Sequence, residues 1–158
     1  MPEKTQNSAA PDRSNWYRLP SGRMLDPSKY RPMSYVINAI TGALQDNTGS
    51  GNTTLNNEPF IATQVTCGIK EEDDDSQDGN YYVRLRDQNR YYQNDFARPT
   101  LLWGSPFNSS QVIPLAVEIV YQGSTTITLD VINPIARTYP DDQFTIQMVL
   151  IGFERWQR

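Results

Sequence analysis

The sequence predicts an all-β fold, a jelly-roll-like antiparallel β-sandwich with an extended N-terminal arm, and three observations carry that prediction. Apolar and polar residues alternate through several short runs; clusters of Gly, Pro, Asn and Asp separate those runs at near-regular spacing; and no run follows the helical period. An immunoglobulin-like sandwich has the same local signals, since alternation says which face a residue takes and not which strands pair. At 158 residues the chain suits one domain with enough apolar mass for a core.

Residues 1–33 form the predicted arm and 34–158 the predicted β-sandwich domain. The arm is polar, carries Pro2, Pro11, Pro20, Pro27 and Pro32, and keeps neither period. Trp16, Tyr17, Leu19, Met24, Leu25 and Tyr30 punctuate it as apolar anchors, so it is built to dock. Up to Arg31 it holds 6 basic and 3 acidic residues, a net charge of +3, whereas the remainder nets −7. A basic arm on an acidic body suits a neighbouring copy of the same chain. Ordering such an arm costs about 1 to 2 kcal/mol per residue, so it is expected to be mobile in an isolated subunit and ordered on assembly.

From Ser34, "SYVINAITGAL" reads as the first strand and "NTGSGNTTLNN" as a turn-rich loop. In "PFIATQVTCGI", Ile61, Thr63, Val65, Cys67 and Ile69 share one face, with Ala62, Gln64 and Thr66 opposite. Tyr81, Val83 and Leu85 alternate with Tyr82, Arg84 and Arg86. Val117, Ile119 and Tyr121 form the apolar set of "LAVEIVY", and Ile127, Leu129 and Val131 follow the turn at Gln122-Gly123-Ser124. In the last strand Phe144, Ile146, Met148 and Leu150 alternate with Thr145 and Gln147, and Val149 and Ile151 make its end apolar on both faces.

The acidic run Glu71, Glu72, Asp73, Asp74, Asp75 and Asp78 is the most conspicuous motif. Asp74-x-Ser76-x-Asp78-Gly79 opens like a calcium loop, but Leu85 stands where the bidentate glutamate belongs. The run therefore reads as the solvated tip of a hairpin turning at Asp78-Gly79, with a looser cation site at Asp73, Asp75 and Asp78 as the alternative.

"RLRDQNRYYQNDFARPTLLWG" interleaves Arg84, Arg86, Arg90 and Arg98 with Tyr91, Tyr92, Phe96 and Trp103. Such a mixture can hold single-stranded nucleic acid, but Asp87, Asp95 and the acidic body disfavour that partner. Use at protein contacts suits it better, because Arg, Tyr and Trp are enriched at interface centres. Sugar stacking on the same aromatics is the other reading, which makes a carbohydrate-binding module for host-surface adhesion the alternative function. The candidate subunit-interface residues are Trp16, Tyr17, Arg18, Arg23, Tyr30, Tyr92 and Trp103.

The chain contains no histidine and one cysteine, Cys67. Serine–histidine hydrolysis, Cys/His pairs and histidine-based metal sites are thereby excluded. Cys67 sits on the apolar face of its run and reads as an inert thiol. No spacing selects two carboxylates for acid/base work. The expectation is a non-enzyme without cofactor or metal. The N-terminal stretch has no apolar leader, and no run approaches the ~18 apolar residues of a spanning helix, so no membrane is expected.

"VIPLAVEIVYQGSTTITLDVINPIARTYPDDQFTIQMVLIGFERW", residues 112–156, resembles the closing strands of small single jelly-roll structural proteins of bacteriophage virions. The matching features are a proline-led strand, a Gly-Ser turn, the run from Thr126 to Asn133 ending in Asn-Pro, and a last apolar strand closing on "LIGFERW". A polar, Pro-rich arm leading into an all-β body is similar to coat and capsid-associated proteins as well. The resemblance implies a virion location, partners that are copies of itself and other virion proteins, and a role in capsid, decoration or head-to-tail assembly without catalysis.

Overall fold

The computed structural model describes residues 12–70, 81–88, 90–98, 112–136 and 143–156. Its strands are β1 (Tyr17–Arg18), β2 (Met24–Leu25), β3 (Tyr30–Gly42), β4 (Thr48–Thr54), β5 (Phe60–Ile69), β6 (Tyr82–Asp87), β7 (Ile113–Tyr121), β8 (Thr126–Ile132) and β9 (Gln143–Arg155). β1 and β2 pair with each other, and the others form one antiparallel sheet in the order β6-β8-β4-β3-β9-β5-β7. The all-β, jelly-roll-like class is the one predicted from alternation.

β7 and β8 follow each other in sequence yet lie far apart in the order of the sheet. The chain from Tyr121 to Thr126 reaches at most ~17 Å, whereas the intervening strand spacings on a flat sheet total ~24 Å. The sheet must therefore curl until its two halves face each other. Ser124 N–H donates to the Asn56 carbonyl at 2.7 Å and Leu55 N–H to that of Thr125 at 2.9 Å, tying the crossing to the β4–β5 connection. The space between the layers holds one core, with Ile37 and Ala39 of β3, Phe60 and Val65 of β5, Leu85 of β6, Leu129 of β8 and Ile146 and Met148 of β9 all buried. Phe60 meets the Tyr35 ring edge-on at 4.9 Å.

Val117, expected inward with Ile119 and Tyr121, stands 67% exposed while Leu115 is buried, because the β5–β7 register jumps from Ile119 to Pro114 as β5 advances only from Ala62 to Gln64. Two further local predictions change, each for a physical reason. The first concerns β5, whose register slips between Ala62 and Gln64 against both neighbours. A bulge reverses the alternation, so Phe60 and Ala62 face the core with Val65, while Ile61 turns to the outside. Ile61 would be exposed there, beside Phe153 of β9. Leu19 and Leu25 of the β1–β2 hairpin close over it, and Tyr17 stacks on Phe153 at 4.5 Å.

The arm residues that are described, 12–29, therefore run along their own body. Pro20 and Gly22 shape the hairpin turn: Gly22 N–H donates to the Leu19 carbonyl at 2.8 Å, and Gly22 takes the left-handed φ of 85°. Ser21 then donates from its N–H and Oγ to Glu118 of β7 at 3.1 and 2.5 Å. The long strand β3 begins at Tyr30, where the sequence pattern placed its start at Ser34.

The second change is β4. "NTGSGNTTLNN" reads as a loop, but Thr48–Thr54 pair residue by residue with β8. Glycine is needed because β4 crosses close to β3: a Cβ on Gly51 would lie 1.8 Å from the Asn38 carbonyl oxygen, and one on Gly49 2.0 Å from that of Ile40. The glycines that signalled a turn instead mark a close backbone approach. Asn133, fully buried, fastens the β3–β4 connection, with Nδ2 donating to the carbonyls of Ala43 and Leu44 at 3.0 Å each.

Candidate functional site

The pairing of β6, β8 and β4 as successive neighbours in the sheet brings three strands together on one outer surface. On β6, Tyr82, Arg84 and Arg86 point away from the core because Val83 and Leu85 point into it. On β8, Thr128 and Asp130 do the same opposite Arg86 and Arg84, and on β4 Ser50 registers with Asp130. Residues 90–98, after β6, fold back along its free edge. Val83 exchanges backbone hydrogen bonds with Ala97 at 2.8 and 3.0 Å, and Tyr92 N–H donates to the Leu85 carbonyl at 3.0 Å. This return carries Tyr91 and Phe96 over the strand.

The result is a groove of about 550 Å³ lined by Thr48, Gly49, Ser50, Arg84, Arg86, Tyr91, Phe96, Asp130 and Val131. Arg86 grips Asp130 with two hydrogen bonds, Nε to Oδ2 at 2.9 Å and Nη2 to Oδ1 at 3.4 Å, which hold its guanidinium more firmly protonated than usual. Arg84 is held differently. Its Cζ lies 4.5 Å from the centroids of both the Tyr91 and Phe96 rings, and its Nη2 is 3.6 Å from Asp130 Oδ2, too long for a hydrogen bond. Its Nε is buried and has no acceptor among the described residues.

Tyr92 leaves the groove altogether. Its ring packs edge-on against Tyr121 at 5.5 Å, and its hydroxyl donates to Asp87 Oδ2 at 2.7 Å while accepting from Arg90 Nη2 at 2.9 Å. Arg90 also donates to the Val120 carbonyl of β7 at 3.2 Å, so this cluster clasps the two ends of the curled sheet. Tyr17 and Tyr30 lie in the arm seam against Phe153 and Ile61. Arg18 and Arg23 are exposed, and Trp16 is half-buried with the Arg13 guanidinium 4.9 Å from its ring. Trp103 and the acidic run 71–78 lie outside the described residues.

A second surface covers the middle of the sheet. Ser34, Val36, Asn38 and Ile40 of β3 lie beside Ile151, Val149, Gln147 and Thr145 of β9, and Gln147 Nε2 donates to Asn38 Oδ1 at 2.9 Å. None of these side chains is charged, although charged residues make up 20% of the chain. Val36 is 45% exposed and Ile40 56%, and Leu44 beyond them is 67% exposed. "SYVINAI" carried the signal, because it is apolar on both of its faces. Asp130, Thr48 and Ser50 had none, since they reach the groove from strands distant in sequence.

Cys67 points its thiol inward, where Tyr81 Oη donates to Sγ at 3.7 Å, and burial pushes the thiol up to about 12. Burial also raises Tyr35 and Tyr92 to about 12. In the unfolded chain these groups ionise near 9.0 and 10.0. Raised folded values mean stability that is complete below pH 9 and lost as the pH climbs toward 12. The urea midpoint should therefore fall steadily from pH 9 to pH 11; a midpoint that stays level over that interval would contradict the burial of these groups.

No protein-family model, curated protein or solved structure matches this chain.

Proposed function

We propose that this chain is a non-catalytic structural subunit of a bacteriophage virion, of the capsid, decoration or head-to-tail kind, which assembles with copies of itself through the outer face of its sheet and its N-terminal arm. The observation that carries the reading is the uncharged face over β3 and β9 with Val36, Ile40 and Leu44 standing out of it. Interface centres are depleted of charge in just this way, and covering an exposed valine or isoleucine contributes about 2 kcal/mol each. The resemblance of residues 112–156 to closing strands of virion jelly rolls points the same way.

Light scattering on the wild type, on the V36E/I40E variant and on a chain lacking residues 1–11 tests the reading. The wild type should exceed monomer mass, and the double glutamate variant should stay monomeric with its thermal midpoint kept, because assembly would bury two unpaired carboxylates. A wild type that stays monomeric at every concentration, or a variant that assembles equally well, overturns it. The truncation stops at residue 11 because removing Leu19, Leu25 and Tyr30 would uncover Ile61 and Phe153 and test folding instead. The truncated chain should assemble more weakly than the wild type, and equal assembly would remove the arm from the proposal.

A further inference from the structure

We propose that the groove between β4, β8 and β6 is a binding site for a singly charged carboxylate on a hydroxyl-rich ligand, an acidic saccharide residue such as a uronic or sialic acid. The inference is independent of the assembly reading and rests on how differently the groove's two arginines are used. Arg86 is committed to Asp130 through both of its hydrogen bonds. Arg84 Nε has no hydrogen-bond acceptor among the described residues and its Nη2 stands 3.6 Å from Asp130 Oδ2, beyond a good hydrogen bond, yet two aromatic rings at 4.5 Å hold its guanidinium in place. A positioned guanidinium with idle N–H donors beside a groove is prepared for an acceptor, and a carboxylate fits its fork with two parallel hydrogen bonds.

The surroundings narrow the ligand. Arg84 and Arg86 against Asp130 leave one positive charge, so a single negative charge completes the site. A phosphate dianion would bring its second charge against the Asp130 carboxylate, which is only 13% exposed and poorly screened. Thr48 and Ser50 supply hydroxyls along the β4 wall, matching sugar hydroxyls in both donor and acceptor roles. The volume, about 550 Å³, lies within the range of small-ligand pockets. An extended acidic peptide is less suited, because residues 91–97 already occupy the free edge of β6 where a peptide strand would add.

Calorimetric titration of the full chain with glucuronate and with N-acetylneuraminate tests the site, with glucose as the neutral counterpart and a hexaglutamate peptide as the other carboxylate source. At least one acidic sugar should bind saturably with a dissociation constant of about a millimolar, and glucose should not bind. Arg84→Gln should weaken that binding by about tenfold or more. Ser50→Asp, an exposed side chain in register with Asp130, should weaken it similarly by placing a second carboxylate on the groove wall, with the thermal midpoint of the variant measured alongside to separate lost binding from lost folding. Arg23→Gln, in the arm, should bind as the wild type does. Failure of both acidic sugars, equal binding of glucose, tighter binding of the peptide, or wild-type affinity in Arg84→Gln and Ser50→Asp would each overturn the proposal.

Discussion

Glu154→Ala should destabilise the fold by about 3 to 4 kcal/mol, lowering the thermal midpoint by roughly 10 °C. Glu154 lies near the end of β9, 1% exposed, and three groups converge on its carboxylate. Tyr35 Oη donates to Oε1 at 2.6 Å, Asn56 Nδ2 to Oε1 at 2.8 Å, and Arg31 Nη2 to Oε2 at 2.7 Å. Alanine leaves the Tyr35 hydroxyl and the Asn56 amide without their acceptor and opens a void at the end of the core. Arg31 is half exposed and returns to water, so its side of the pair adds little.

The same network has an acid signature. Burial alone would raise Glu154, but the hydrogen bonds from Tyr35, Arg31 and Asn56 outweigh it and hold the carboxyl below its ordinary 4.5. A depressed folded value means stability that is present above pH 4.5 and lost as the pH falls through the folded value. Glu154→Gln, which keeps an acceptor and removes the charge, should flatten stability against pH below 4.5 relative to the wild type. Denaturant titrations at pH 7 and pH 3 measure both effects, and an alanine variant within 1 kcal/mol of the wild type at pH 7 would refute the account.

Gly51→Ala should cost about 3 kcal/mol, well above the usual penalty for adding one methyl group in a strand. The added Cβ would sit 1.8 Å from the Asn38 carbonyl oxygen, 2.4 Å from its carbon and 2.8 Å from the Ala39 nitrogen. All three are backbone atoms of a central strand, so relief requires β3 and β4 to separate rather than a side chain to rotate. Gly22→Ala provides the contrast: nothing lies within 4 Å of its added Cβ, and only the left-handed φ of 85° opposes it, at about 1 kcal/mol. Chemical denaturation should rank the two in that order. Equal costs would mean that the β3–β4 approach is looser than described.

In β8 and β9 the burial of the strands was legible in advance, whereas in β7 Val117, expected inward, faces outward. Phe144, Ile146, Met148 and Leu150 face inward as their period requires, and so do Ile127, Leu129 and Val131. The reading failed where one residue broke the period. The bulge after Ala62 turned Ile61 outward, and nothing in "PFIATQVTCGI" distinguishes a bulged strand from a regular one. It failed again at "TGSG", because glycine serves a turn and a close strand crossing equally well. Of the groove, the sequence supplied Arg84, Arg86, Tyr91 and Phe96 as one interleaved run, while Asp130 and Ser50 entered only through the register of β8 with β6 and β4.

Local chemistry was therefore enough to establish an all-β chain with a Pro-rich stretch bearing apolar anchors, the core faces of β6, β8 and β9, and a reserve of aromatics and arginines on and after β6. Side-chain period, turn residues and composition are properties of neighbours in sequence, and they report which face a residue takes. The pairing order, the curl, the seating of the arm on Ile61 and Phe153, the Glu154 network and the differing use of two arginines in one groove arose from contacts between strands far apart in the chain. Those contacts depend on register and on which backbones can approach, and neither quantity is encoded within a single strand.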